Sequence, residues 1–140
     1  MKACTFFGHR DAKETIEPIL KSTILHLIEK EQVDIFYVGN NGCFDLIVQK
    51  TLNSLKPVYP NINYFVVFAY PNENGDVTNA IYPLSLNLSA SAIPLRNRWM
   101  IQRSDFVITY VTKIFGGAVK YKKQAIAEGK TVIELSGLCK

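Results

Sequence analysis

At 140 residues and 15.8 kDa the chain has the size of one compact domain, and 48% hydrophobic against 20% charged residues is an ordinary globular composition that can fill a core. The formal net charge of +4 suits an anionic ligand or a nucleic acid and selects neither. No apolar stretch reaches the roughly 18–20 residues of a membrane span, and Cys4, Cys43 and Cys139 are too far apart for a disulfide framework or a zinc site.

The first apolar run, Ala3–Phe7, has the composition of a buried strand. Gly8-His9-Arg10-Asp11 cuts it off too early for a secretory signal, so a cytoplasmic location is expected. Ile16, Ile19, Leu20, Ile24, Leu27 and Ile28 then recur at helical spacing. Asp34–Val38 is the second strand. Gly39-Asn40-Asn41-Gly42-Cys43-Phe44-Asp45 turns from it into a second helix, ended by Lys56-Pro57. Tyr64–Ala69 is the third strand. The stretch 70–95 is rich in Asn, Ser and Pro and is expected as one long loop, either functional or a poorly ordered insertion. Arg96–Arg103 is a short helix, Phe106–Val111 the fourth strand, Ala118–Glu128 a helix stopped by Gly129, and Thr131–Leu135 the fifth strand.

Runs apolar on both faces, alternating with helices, predict a mainly parallel five-stranded sheet covered on both sides. The expected fold is a single Rossmann-like α/β domain over residues 1–140. Such sheets bind ligands beyond the carboxyl ends of their strands. The first such loop offers Gly8, His9 and Arg10, and the second offers Gly39, Asn40, Gly42 and Asp45. The fourth offers Thr109, Gly116, Gly117 and Lys120, with Arg96 and Arg98 on the preceding helix. Glycines admit a ligand to the backbone, and helix N-termini attract anions. Each residue also has a purely structural reading. The glycines could serve only tight turns, Arg10 could pair with Asp11 or Glu14, and Trp99 and Met100 fit a core. His26 suits a structural role, and Cys43 has no evident histidine base for nucleophilic work.

The segments "CTFFGHRD", "FYVGNNGCFD" and "RNRWMIQRSDFVITYVTKIFGGAVKY" together resemble the SLOG superfamily of Rossmann-like nucleotide-binding domains, in a small single-domain bacterial branch. That resemblance implies kinship with Lonely-guy phosphoribohydrolases, with the DNA-loading protein of natural transformation, and with sensor domains for nucleotide signals. On the phosphoribohydrolase motif Arg98 looks like the arginine, and Gly116-Gly117 match the paired glycines. Trp99 stands for the lysine, Phe115 for the proline, Val119 for the third glycine, Lys120 for the threonine and Lys123 for the glutamate. The catalytic carboxylate is therefore missing from its expected place, which favours binding over turnover.

Three functions follow in order of expectation. The first is binding of a nucleotide or nucleotide-derived signal, with no cofactor and no metal. The second is a nucleotide N-glycosidase, with Arg98 and Asp45 as catalytic candidates and Asp11 as a further carboxylate. The third is a single-strand nucleic-acid binder, ranked last because the aromatics sit mainly within strands rather than interleaved with a basic groove. Nucleic acid and membrane are thus not expected as partners, whereas the resemblance implies a homodimer or larger homo-oligomer.

Overall fold

The computed structural model describes residues 2–70, 79–83 and 92–137. Its centre is one parallel sheet of β1 (Lys2–Gly8), β2 (Val33–Val38), β3 (Asn63–Val67), β4 (Ala80–Ile81), β5 (Phe106–Tyr110) and β6 (Thr131–Glu134), in the order β4-β3-β2-β1-β5-β6. Helices α1 (Glu17–Lys30) and α2 (Cys43–Leu55) follow β1 and β2. Helices α3 (Ala92–Gln102) and α4 (Gly117–Ala127) precede β5 and β6.

Alternation along the strands makes two cores, because successive side chains point to opposite faces of a sheet. Cys4, Phe6, Phe36, Val66 and Ile108 pack with Leu20, Ile24, Leu27, Phe44, Val48 and Leu52 of α1 and α2. Their neighbours Phe7, Val67 and Val107 pack on the other face with Met100, Ile101, Tyr121 and Ala125 of α3 and α4. Burial at roughly 25 cal/mol per Å² of apolar surface makes these two layers the main stabilising term.

The architecture is α/β and Rossmann-like, with six strands rather than the five expected. The sixth, β4, lies within the stretch expected as one loop: Val66 N–H donates to the Asn79 carbonyl and Phe68 N–H to that of Ile81. Helix α3 also begins four residues before Arg96 and contains Pro94 near its start, where a missing N–H costs nothing. Residues 71–78 and 84–91 of that stretch lie outside the described residues. No helix among the described residues is long and apolar enough to cross a membrane.

The chain runs outward from β1 to β4, then returns to place β5 on the other side of β1. Strand order therefore reverses between β1 and β5. The loops leaving these two strands diverge to opposite faces, and a crevice opens between them.

Candidate functional site

A cleft of about 640 Å³ occupies this crevice, lined by the loops after β1, β2 and β5 and by one side of α3. On the β1 side, Gly8 is fixed by packing: a Cβ there would stand 2.3 Å from the Phe44 ring. His9 is buried, and its Nε2 accepts hydrogen bonds from the Thr112 N–H at 2.9 Å and the Lys113 N–H at 3.2 Å. Accepting both requires the imidazole proton on Nδ1. The Arg10 carbonyl accepts the Cys43 N–H at 2.8 Å, while its side chain is exposed and lines the cleft. Asp11 and Lys113 form an exposed ion pair at 2.8 Å, and that hydrogen bond holds the Asp11 carboxyl below its ordinary value.

The β2–α2 loop is closed upon itself. Gly42, at φ +92°, carries no Cβ that would meet the Arg10 backbone at 2.7 Å, and a Cβ on Gly39 would stand 2.8 Å from Asp45 Oδ2. Asp45 accepts the Asn41 N–H at 2.9 Å. Enclosure of its carboxyl raises the pKa to about 6, although the Asn41 N–H and the Arg96 and Arg10 charges pull the other way. Arg96 is buried beneath the loop. Its Nε donates to Asn97 Oδ1 at 2.6 Å, and its Nη1 donates to Asn40 Oδ1 at 3.1 Å and to the Val67 carbonyl at 2.8 Å. With the Asn41 amide oriented to satisfy both partners, its oxygen accepts from Arg96 Nη2 at 3.0 Å. A guanidinium so fully engaged ties α3 to the ends of β2 and β3.

The β5–α4 loop has the opposite character. Its base is fixed: Glu134 accepts the Thr109 hydroxyl at 2.7 Å, the Val111 N–H at 2.8 Å, the Ser136 N–H at 3.0 Å and the Lys122 ammonium at 2.9 Å. Burial alone would raise this carboxyl, but those donors together lower it to about 2. The tip beyond is open. A Cβ on Gly116 or Gly117 would meet nothing within 4 Å, and no side chain among the described residues caps the N-terminus of α4. Ile114 and Phe115 are 91% and 72% exposed. Lys113, Gly117 and Lys120, on either side of Phe115, line the cleft.

Of the residues expected at a site, the structure gathers Gly8, His9, Arg10, Gly39, Asp45, Arg96, Gly117 and Lys120 around this one cleft. Asn40 and Gly42 lie behind it, in contact with Arg96 and Arg10 respectively. Gly116 caps α4 at φ +112°. Thr109 is fully buried and donates to Glu134. Arg98 is exposed and away from the cleft, so Arg96 is the arginine that α3 turns inward. Sequence reasoning overlooked Glu134, whose partners converge only in the folded chain, and treated Phe115 only as a replaced proline. Among the described residues no cluster of three His, Cys, Asp or Glu side chains is placed to hold a metal ion.

No protein-family model and no curated protein matches the chain. Solved structures similar to it include two DNA processing proteins. One is DNA processing protein A from Helicobacter pylori, described for its unique single-stranded DNA binding mode; it is 14% identical with a TM-score of 0.67, over 95% of this chain and 64% of that one. The other is DNA processing protein A from Streptococcus pneumoniae, 16% identical with a TM-score of 0.71, over 96% of this chain and 50% of that one. The chain thus spans less than two thirds of either protein. Two expectations are corrected by this likeness. A nucleotide-derived signal no longer leads as the ligand, and nucleic acid no longer ranks last as a partner, because the similar structures are DNA processing proteins and one is described by its single-stranded DNA binding. The likeness shows a Rossmann-like fold of the kind implied by the SLOG resemblance.

Proposed function

We propose that this chain, as one SLOG-type domain of the cytoplasm, binds single-stranded nucleic acid along the lip of the cleft. One observation carries the reading: Phe115, 72% exposed, lies in sequence between Lys113 and Gly117, and both of these line a cleft that also presents Arg10 and Lys120. Sequence-tolerant binding of single strands needs cations along the backbone path and an exposed ring on which a base can stack. Many aromatics of the chain sit within strands, and Phe115 does not. The free N–H groups at the start of α4 add a positive dipole end facing the same lip. Similarity to a protein described as binding single-stranded DNA supports the same class of ligand.

Fluorescence anisotropy with a labelled oligothymidylate, its duplex and a salt series tests this. Binding should favour the single strand by about tenfold or more. With Arg10, Lys113 and Lys120 on phosphates, the plot of log affinity against log salt should have a slope of about −2. Absence of binding at low salt, or equal binding of single strand and duplex, overturns the reading.

A further inference from the structure

Three consecutive amides at the base of the β5–α4 loop are held by two side chains, one just after β1 and one at the end of β6. Val111 donates to Glu134 Oε2 at 2.8 Å, whereas Thr112 and Lys113 donate to His9 Nε2 at 2.9 and 3.2 Å. Glu134 ends β6 and His9 follows β1, so the loop leaving β5 is gripped from both of its neighbours in the sheet. Beyond Lys113 the grip stops, and the exposed Ile114-Phe115-Gly116 tip begins. An exposed loop ordinarily samples many conformations, and holding it in one lowers the entropy lost when a ligand is bound.

We infer that His9 and Glu134 are positioning residues, which set the Phe115 tip and the start of α4 in the geometry that receives a nucleic-acid strand. This rests on the function proposed above. Glu134 does not line the cleft, so any influence it has on binding passes through the loop. Its carboxylate stays ionised throughout the neutral range, because the Val111 and Ser136 amides, the Thr109 hydroxyl and Lys122 outweigh its burial. Neighbouring Lys122 offsets its charge at 2.9 Å. The Asp11–Lys113 ion pair crosses the same gap, but both side chains are exposed, and such pairs hold little.

The test combines a readout without nucleic acid and one with it. His9→Leu removes the acceptor at similar bulk, whereas His9→Gln returns an oxygen near the Nε2 position. Amide hydrogen exchange at Thr112 and Lys113, and tryptic cleavage after Lys113, should rise by about tenfold in His9→Leu and return toward wild type in His9→Gln. Oligothymidylate affinity should fall about tenfold in the first variant and recover in the second. Glu134→Ala should do the same at Val111, and where its melting curve shows a loss of fold, His9→Leu decides alone. Combining His9→Leu with Phe115→Ala should cost less affinity than the two single losses together, because both act through one tip. Wild-type protein that binds no strand overturns the proposed function and this inference together. A wild type that binds, with His9→Leu equal to it in affinity or with fully additive losses, overturns the inference alone.

Discussion

Two glycine-rich loops enter helices at the same edge of the sheet, and they are built for opposite ends. In the β2–α2 loop every glycine the sequence offers is filled against by a neighbour: Asp45 and Arg96 at Gly39, and Arg10 at Gly42. The first N–H of α2 is taken by the Arg10 carbonyl. In the β5–α4 loop a Cβ on Gly116 or Gly117 would meet nothing within 4 Å, and two large apolar side chains point to solvent. A glycine-rich turn before a helix therefore has two physical meanings. One is close internal packing, and the other is backbone left accessible to a ligand. Only the surroundings distinguish them.

The largest expected effects should come from the closed region. A Cβ on Gly8 lies 2.3 Å from the buried Phe44 ring, and one on Gly42 meets the Arg10 backbone at a φ of +92°. Gly8→Ala and Gly42→Ala should each cost about 3 kcal/mol of stability by urea denaturation. Gly117→Ala should stay within about 0.5 kcal/mol of wild type. Equal losses at the two sites would break the contrast.

The closed loop also predicts a pH dependence. Asp45 has an ordinary value of 3.8 and a folded value of about 6. Between these the folded chain holds a proton that the unfolded chain has lost, so this group's contribution is fully present below about pH 4 and declines as pH rises to 6. Allowing for partial exposure of the residue, the decline should be about 2 kcal/mol, followed by melting curves at several pH values. Asp45→Asn should flatten it. Glu134, with an ordinary value of 4.5 and a folded value of about 2, acts in the opposite sense, and its contribution is present above about pH 4.5 and lost as pH falls from there to 2. A stability that rises through pH 4–6 by an amount unchanged in Asp45→Asn would mean that the loop does not enclose its carboxyl.

Smaller effects belong to the open loop and appear in binding rather than folding. Phe115→Ala should weaken oligothymidylate binding by about 1–2 kcal/mol with an unchanged melting temperature, the range for one stacked base. Lys120→Ala should lower affinity by less and make the salt slope shallower by about 0.7, as expected for one phosphate contact. An unchanged slope would remove Lys120 from the backbone path.

Five of the six strands were legible because each is a short apolar run bounded by turn residues. The sixth was not, because two residues, Ala80 and Ile81, carry no pattern of their own and pair only through tertiary contact with β3. Pro94 masked the start of α3, since a proline signals a break except in the first turn of a helix. The cleft's position followed from the strand alternation, but its chemistry did not. Which arginine of α3 turns inward depends on how Met100 and Ile101 seat the helix, a rotation that spacing alone leaves free. Phe115 was hidden for the converse reason: an apolar residue in a sequence argues for burial, and only the fold exposes it.

The most direct test is a footprint of backbone amides in the protein, taken with and without a twelve-nucleotide oligothymidylate. The account predicts that changes concentrate at residues 112–120 and 9–11, the open loop and the lip facing it, while 40–44 remain as they were. Changes confined to 40–44, or none at any strand concentration, would contradict it.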